Sequence, residues 1–502
     1  MNLVDLKVQR FIYKLIVKKK QKMKTNKLLF VKIIALLILT SLSSCGQKIT
    51  TDNIIEKLNK KYKFTANAKK YAVTYKEVRY RPYQSYDYKN PNYGVNDFGV
   101  NTIEIDKDKK EFFTHTKNQY PGNFIFEFKH FENSKKGLSY DVNGVIQGKQ
   151  LFKRKRNSYE SQSKIAKEVL SFEKVAILLS NHKMGKPLKI EVNNKTAVIT
   201  YTNSREVTNT YTFDIPSLRL LKLESTKDNS TVKYKNYVLK NTIEYAKKLE
   251  VYKSNKLKGI FLVENFNQTM GIAASKFMVP NGYTMPKKVG FRQESKITKI
   301  ANNMYVIDAY FNSRFILLKV IQNDIMVFGA PVSDDVSEKT IKLIEEKFPM
   351  KTIQSVFVSH PHNDHIGGLN TYAKKGVTIL ADDYTIDAIK HFPAFSKTIK
   401  TFKFKTLINK KVINGVRFYV LKNKHSFKQS FAYFKDAQII YEGDFLEIPA
   451  DNSIATHLSN TEKQFIEFVR AEKLKIKRIV QHHRNPNVSV ATMNAYYKAN
   501  TK

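Results

Sequence analysis

Ser359-His360-Pro361-His362-Asn363-Asp364-His365-Ile366-Gly367-Gly368 is the stretch on which the reading of this 502-residue chain turns. It follows the apolar run Thr352 to Val358, which reads as a strand, and precedes a short helix from Leu369 to Lys374. It therefore sits on a loop at a strand's end, where functional groups are commonly carried. Of the 11 histidines in the chain, eight lie from His360 onward. His360 and His362 are two apart, so on an extended backbone they face the same way and can direct two imidazoles at one cation. Asp364 and His365, just beyond a turn, can serve a second cation close by. Imidazole and carboxylate together suit Zn2+, with other first-row metals as alternatives. Gly367 and Gly368 let the backbone pass close to such a site.

The segment resembles the H-x-H-x-D-H signature of the metallo-β-lactamase superfamily, and the resemblance extends over roughly residues 290 to 502. Ile300 to Ile307 looks like the family's opening strands. His425-Ser426 is similar to its third motif, Asp444 to its bridging Asp, and His483 to the His that closes the second site. The resemblance implies one metal held by His360, His362 and His425, another held by Asp364, His365 and His483, and Asp444 bridging. His483 is preferred to its neighbour His482 because the family usually has Gly there and because adjacent residues at a strand's end point to different sides. His482 stays open as the alternative. Two zinc ions would share a hydroxide that attacks the substrate, with Asp364 also orienting it, and no organic cofactor is needed. The implied fold is an α/β αββα sandwich.

The chain departs from the pattern in several places. Phe328-Gly329-Ala330-Pro331 has Gly329 where the family often has an Asp that supports the metal loop. No Cys stands at a ligand position, which argues against the β-lactamases that use one. The interval from Asp444 to His483 leaves no room for the extra domain of the RNA-processing relatives. The iron relatives carry a carboxylate where His362 stands.

Working outward, strands are expected at Ile297 to Ile307, Phe315 to Ile321, Ile325 to Phe328, Val377 to Leu380, Val416 to Leu421, Ser430 to Phe434, Gln438 to Tyr441 and Arg478 to Gln481. Helices are expected at Ser337 to Lys347, Thr385 to Lys390 and Glu462 to Glu472. Strands interleaved with surface helices predict sheets covered by helices. Pro280, Asn281-Gly282 and Pro286 punctuate a linker between Phe277 and Lys288. Before it the chain alternates apolar and polar residues, as at Thr196 to Thr202, Glu206 to Phe213 and Thr231 to Leu239, which predicts a β-rich region with a helix at Ser163 to Leu179. From Tyr211 to Pro280 it looks like the repeated hairpins of envelope lipoprotein half-barrels. The tyrosines of Tyr71 to Tyr93 read as an aromatic sheet face rather than a sugar or cell-wall contact surface.

Length predicts more than one domain, and the boundaries fall at 1–45, 46–285 and 286–502. Lys and Arg total 87 against 44 Asp and Glu, a net charge of +43. The lysines are spread along the chain without a recognition helix or stacking motif, so a solvated surface is the expected reading and nucleic acid is not the expected partner. The single Cys45 excludes a disulfide framework. Lys24 and Lys27, the apolar run from Leu28 to Leu42 and Leu42-Ser43-Ser44-Cys45 predict an export signal whose end resembles a bacterial lipobox, with Cys45 lipidated. Met23 is the more natural start. His115, His130, His182, His391 and His457 read as ordinary surface or satisfied residues. The expectation is a zinc-dependent hydrolase of a small ester, thioester or lactone, lipid-anchored to a membrane of the cell envelope. The alternatives are β-lactam hydrolysis and a non-catalytic, ligand-binding envelope lipoprotein.

Overall fold

The computed structural model describes residues 49–66, 68–91, 97–146, 148–153, 158–285, 295–309 and 313–501. The export signal, Cys45, Met23 and the linker residues 286–288 lie outside the described residues. Among those described, no helix is long and apolar enough to cross a membrane.

The first half is β-rich. After helix α1 (Ile54–Ala66) come β1 (Lys70–Arg79), β2 (Phe98–Asp106), β3 (Glu111–Tyr120), β4 (Phe124–Glu132), β5 (Gly137–Asp141) and β6 (Leu151–Lys153). Helices α2 (Ser158–Val169) and α3 (Ser171–Lys183) separate them from β7 (Lys189–Val192), β8 (Thr196–Thr202), β9 (Thr208–Asp214), β10 (Leu220–Ser225), β11 (Ser230–Lys240), β12 (Ile243–Lys253) and β13 (Lys256–Gln268). All 13 strands form one sheet in the order β6-β5-β4-β3-β2-β1-β13-β12-β11-β10-β9-β8-β7. Two meanders are thus joined where β1 runs antiparallel to β13. Residues of β8 alternate between buried and half-buried, as period-2 patterning requires when one face is covered. The cover is helical: Phe172 of α3 meets Phe266 of β13 edge-on, and the Tyr71 hydroxyl donates to Glu173 at 3.1 Å.

Two expectations for this region need correction. The single helix at Ser163 to Leu179 is two helices, broken at Leu170, whose φ of −106° and ψ of 113° are extended. Leu170 is fully buried, so core packing overrides helical continuity at a position with no Gly or Pro to announce it. The tyrosines of 71–93 are not one sheet face either. Tyr71 and Tyr75 are buried in β1, whereas Tyr83, Tyr86 and Tyr88 lie on the loop that follows it.

The second half is mixed α/β with two sheets. Its elements are β14 (Ile297–Ala301), β15 (Met304–Ala309), β16 (Arg314–Ile321), β17 (Asp324–Phe328), α4 (Asp334–Lys347), β18 (Thr352–Phe357), α5 (Asn363–Ile366), α6 (Leu369–Lys374), β19 (Thr378–Ala381), α7 (Asp383–Lys390) and β20 (Lys403–Thr406). There follow β21 (Val412–Ile413), β22 (Val416–Leu421), β23 (Gln429–Phe434), β24 (Ile439–Glu442), α8 (Asn460–Ala471), β25 (Arg478–Gln481) and α9 (Val490–Asn500). Strands β14 to β20 form a seven-stranded sheet and β21 to β25 a five-stranded one, each in sequence order. The pairs β17·β18, β18·β19, β19·β20 and β24·β25 are parallel.

Three apolar clusters hold the layers. One lies between the sheets and joins Phe328 and Phe357 of the larger to Phe418, Phe434 and Tyr441 of the smaller. A second packs Ile316 and Val356 against Ile341, Leu369 and Ile386 on α4, α6 and α7. The third packs Tyr419 and Ile440 against Phe465 of α8 and Tyr496 of α9. Helix α4 begins three residues before the expected Ser337, with Asp334 and Asp335 in its first turn, where carboxylates oppose the dipole. Helix α9, unforeseen from the sequence, buries only Met493 and Tyr496 and so has a weak apolar stripe. The carboxyl ends of β18, β24 and β25 and the β22–β23 connection open at one rim of this half. Both halves belong to one compact unit, Ile55–Lys502.

Candidate metal centre

The loop after β18 turns at once into α5, so that His360, His362, Asp364 and His365 lie within six residues and converge. His360, His362 and His365 are buried, and the His360 and His362 rings lie 4.4 Å apart. His425 stands four residues beyond β22, where the Asn423 side chain accepts from the backbone N–H groups of His425 and Ser426 at 2.8 and 3.0 Å. Asp444 follows β24 with a φ of 63°, a left-handed backbone that Asp tolerates better than most residues. His483 follows β25.

These residues meet in two overlapping groups. The ligand-type atoms of His360, His362, His425 and Asp444 lie within 4.8 Å of one another. The Nε2 atoms of His360 and His425 are 3.3 Å apart, and Asp444 Oδ2 is 3.6 and 3.2 Å from them. On the other side, Asp444 Oδ1 is 3.2 Å from His365 Nε2 and 2.8 Å from His483 Nε2. Asp364 Oδ2 lies 3.5 Å from His483 Nε2 and 3.9 Å from His365 Nε2. Asp444 thus faces both groups, one oxygen to each.

The tautomers decide what the groups can hold. A carbonyl only accepts, so His362 Nε2–H donates to Ser85 O at 3.1 Å and His425 Nδ1–H donates to Pro121 O at 3.0 Å. In neutral rings the inward nitrogens are then bare lone pairs. Burial, with the neighbouring histidines, drives His360 far below its ordinary pKa, and burial then His425 takes His362 down to about 3. Burial opposes protonation of His365 as well, but Asp444 and Asp364 outweigh it and raise that ring. Burial likewise works against the charge on Asp364 and Asp444, and His365 and His483 reverse it, holding both carboxyls well below their usual range. The inward lone pairs of His362 and His425, beside two anionic carboxylates, belong to the donor set of a divalent cation.

The chain is similar to solved metallo-β-lactamases. The structure from Hirschia baltica is 14% identical and covers 42% of this chain and 100% of its own, with a TM-score of 0.32. That from Pontibacter korlensis is 16% identical over 41% of this chain and 98% of its own, TM-score 0.32. The FIM-1 enzyme of Pseudomonas aeruginosa in its mono-zinc form is 13% identical over 42% and 96%, TM-score 0.33. No protein-family profile and no curated protein matches. Likenesses of this strength say nothing about chemistry, which rests on the residues themselves.

The two histidines at the end of β25 diverge, their ring planes 86° apart. His483 turns toward Asp444. His482 puts Nδ1 2.8 Å from the Tyr441 hydroxyl, although it also stays within 4.8 Å of His365 and His483. The missing carboxylate at Gly329 belongs to the same arrangement. Gly329 has a φ of 108°, and a Cβ there would come 2.5 Å from the Tyr441 hydroxyl and 3.1 Å from His482 Nδ1. The Tyr441 hydroxyl, with the ring of His482 bonded to it, occupies the space a side chain at 329 would need.

Several residues of the centre are not evident in the sequence. Arg314 at the start of β16 donates to Asp364 Oδ2 at 3.0 Å, and Gln84 donates to Asp364 Oδ1 at 2.8 Å. A cavity of about 180 Å3 opens over the cluster, bounded by Tyr120, Phe124, Phe126, Glu447 and Arg484 as well as by ligand-type residues. Arg484 pairs with Glu447 and lies over the Phe126 ring; burial and then Arg314 lower its pKa to about 10. The other histidines stay apart: His115 pairs with Glu127, His130 stacks on Phe128, and His391 pairs with Asp387. His182 is exposed, and half-buried His457 donates from Nε2 to Asn123 O at 2.7 Å outside the cavity.

Proposed function

We propose that the chain is a zinc-dependent hydrolase of the metallo-β-lactamase type, its second half an αββα sandwich, acting on a small ester, thioester or lactone. The observation that carries this reading is the convergence of His360, His362 and His425 on one side of Asp444 and of His365 and His483 on the other, with Asp364 3.9 and 3.5 Å from those two rings and His482 beside them. Each group matches the nitrogen and oxygen donors that zinc prefers. Two such ions would supply a water activated near neutral pH and a Lewis acid for the scissile carbonyl.

The chain's own residues supply the rest. Ser85 and Pro121 carbonyls and the Ser359 hydroxyl, 3.0 Å from His360 Nδ1, fix the ring orientations. Arg314 and Gln84 hold Asp364, which stays anionic and can orient an attacking water. The cavity of about 180 Å3 lies directly over the ligand-type residues, with Tyr120, Phe124 and Phe126 on its wall. Phe124 and Phe126 give that wall an apolar face beside the ligand-type residues. The export signal, a Cys45 lipid anchor and a place in the bacterial cell envelope are part of the same proposal and rest on the sequence alone.

The test is a panel of short acyl thioesters, lactones and nitrocefin, assayed before and after chelation. Turnover of the thioesters or lactones that chelation abolishes and zinc restores is expected. Turnover indifferent to chelation would contradict the reading, and nitrocefin as the best substrate would replace it with β-lactam hydrolysis.

A further inference from the structure

The β-rich half approaches the metal centre at two places. The loop after β1 lays residues 80–91 against α5 and α7: Tyr83 donates to Ala388 O at 3.2 Å, Tyr88 to Asp387 at 2.7 Å, and Tyr86 O accepts from the Phe427 N–H at 2.9 Å. This seats Ser85 O on His362 and the Gln84 amide on Asp364. The tip of the β3–β4 hairpin is the second place. Gly122 O accepts from the N–H of Asn460 at 3.0 Å, Pro121 O accepts from His425, and the Phe124 ring stands edge-on to His425 at 5.2 Å. Gly122 has a φ of 85°, and a Cβ there would fall 3.1 Å from that of His425, so the tip fits only as glycine. Phe124 is only 3% exposed although it stands at the start of a strand, because the second half covers it.

We infer that the β-rich half is a working part of the metal centre: Gln84 is a positioning residue for Asp364, and Phe124 limits the length of the acyl group admitted. The inference rests on the hydrolase reading and adds to it a function for residues 70–132. Two histidines of one group and the carboxylate of the other are oriented by atoms from this half. Groups that orient metal ligands from outside typically change metal affinity about 10- to 100-fold when removed. Gln84 is half-buried and has no part in the core, so Gln84→Ala should leave folding intact while freeing Asp364 Oδ1. The substrate class that follows is an acyl compound with a short chain, since the buried Phe124 lines the cavity on the His425 side.

The experiment uses the full chain. Zinc affinity is measured by competition with a chromogenic chelator for wild type, Gln84→Ala and Phe124→Ala, and acetyl, butyryl and octanoyl thioesters are compared as substrates. Gln84→Ala should weaken the second zinc about tenfold and leave the first unchanged. Phe124→Ala should raise kcat/KM for octanoyl relative to acetyl about tenfold, the size expected for pocket methylenes. Phe124→Leu, which removes the ring but keeps part of the apolar volume, serves if the alanine variant is unstable and should shift the ratio in the same direction by a smaller factor. Wild-type zinc affinity in Gln84→Ala, or an unchanged chain-length ratio in both Phe124 variants, overturns the inference. A wild-type chain that takes up no zinc overturns the hydrolase reading too, so the two failures are distinguishable.

Discussion

The two halves of the ligand cluster are buttressed by different chemistry. Around His360, His362 and His425 the outward nitrogens meet neutral oxygens, from Ser359, Ser85 and Pro121. Around Asp364, His365 and His483 the carboxylate already has a cationic partner, Arg314, 3.0 Å from the oxygen that faces His483. In the first group the inward ring nitrogens of His360 and His425 have the shared Asp444 carboxylate beside them, 3.6 and 3.2 Å away. The second must give up part of an ion pair when a cation arrives, and the guanidinium repels that cation. Two sites of unequal affinity are the consequence, the first tighter.

Mutations can break or sharpen this inequality. The largest effect is expected from His360→Ala, which removes a ligand from the tight group. Hydrolysis should fall on the order of a thousandfold, comparable to losing a principal transition-state contact, and metal analysis should find the first ion gone. Unchanged turnover would contradict the assignment. Asp364→Asn should cost the second ion and spare the first, read as one zinc per chain instead of two; loss of both would show that the halves are not separable. Arg314→Gln removes the competing charge and should tighten the second site about tenfold, the size of an outer contact, with no change in the first. Weaker second-site binding would mean that Arg314 supports Asp364 more than it competes.

The smallest expected effect lies away from the metals. Glu462, in the capping box of α8, is fully buried, and burial raises its pKa from 4.5 to about 8. Between those values the folded chain holds a proton that the unfolded chain releases, so this group's contribution to stability is present at low pH and lost as pH rises to 8. Glu462→Gln retains the cap and should flatten the dependence of the urea midpoint on pH across that window. Parallel slopes for the two proteins would contradict it.

The same contrast explains what could be read in advance. The H-x-H-x-D-H loop was legible because its chemistry is in side chains whose type and spacing are visible. The strands β16, β17, β18, β22 and β25 fell where apolar periodicity placed them. Ser85 and Pro121 act through backbone carbonyls, which every residue has, so nothing in their identity marks them. Gln84 and Arg314 lie 280 and 50 residues from Asp364, and no pattern links them. Tyr83 to Tyr88 looked like a sheet face because tyrosine alternates in strands and in docking loops alike. Gly329 and His482 each stood out as a departure, and only the fold shows that both lie beside the Tyr441 hydroxyl.

The central claim is that this cluster is a two-metal site. Zinc back-titration of the chelator-stripped full chain, followed by elemental analysis, tests it most directly. The account predicts two zinc ions per chain, taken up in two steps with the first lost selectively in His360→Ala. A folded wild-type chain that takes up none, or whose uptake is unchanged by His360→Ala, would contradict it.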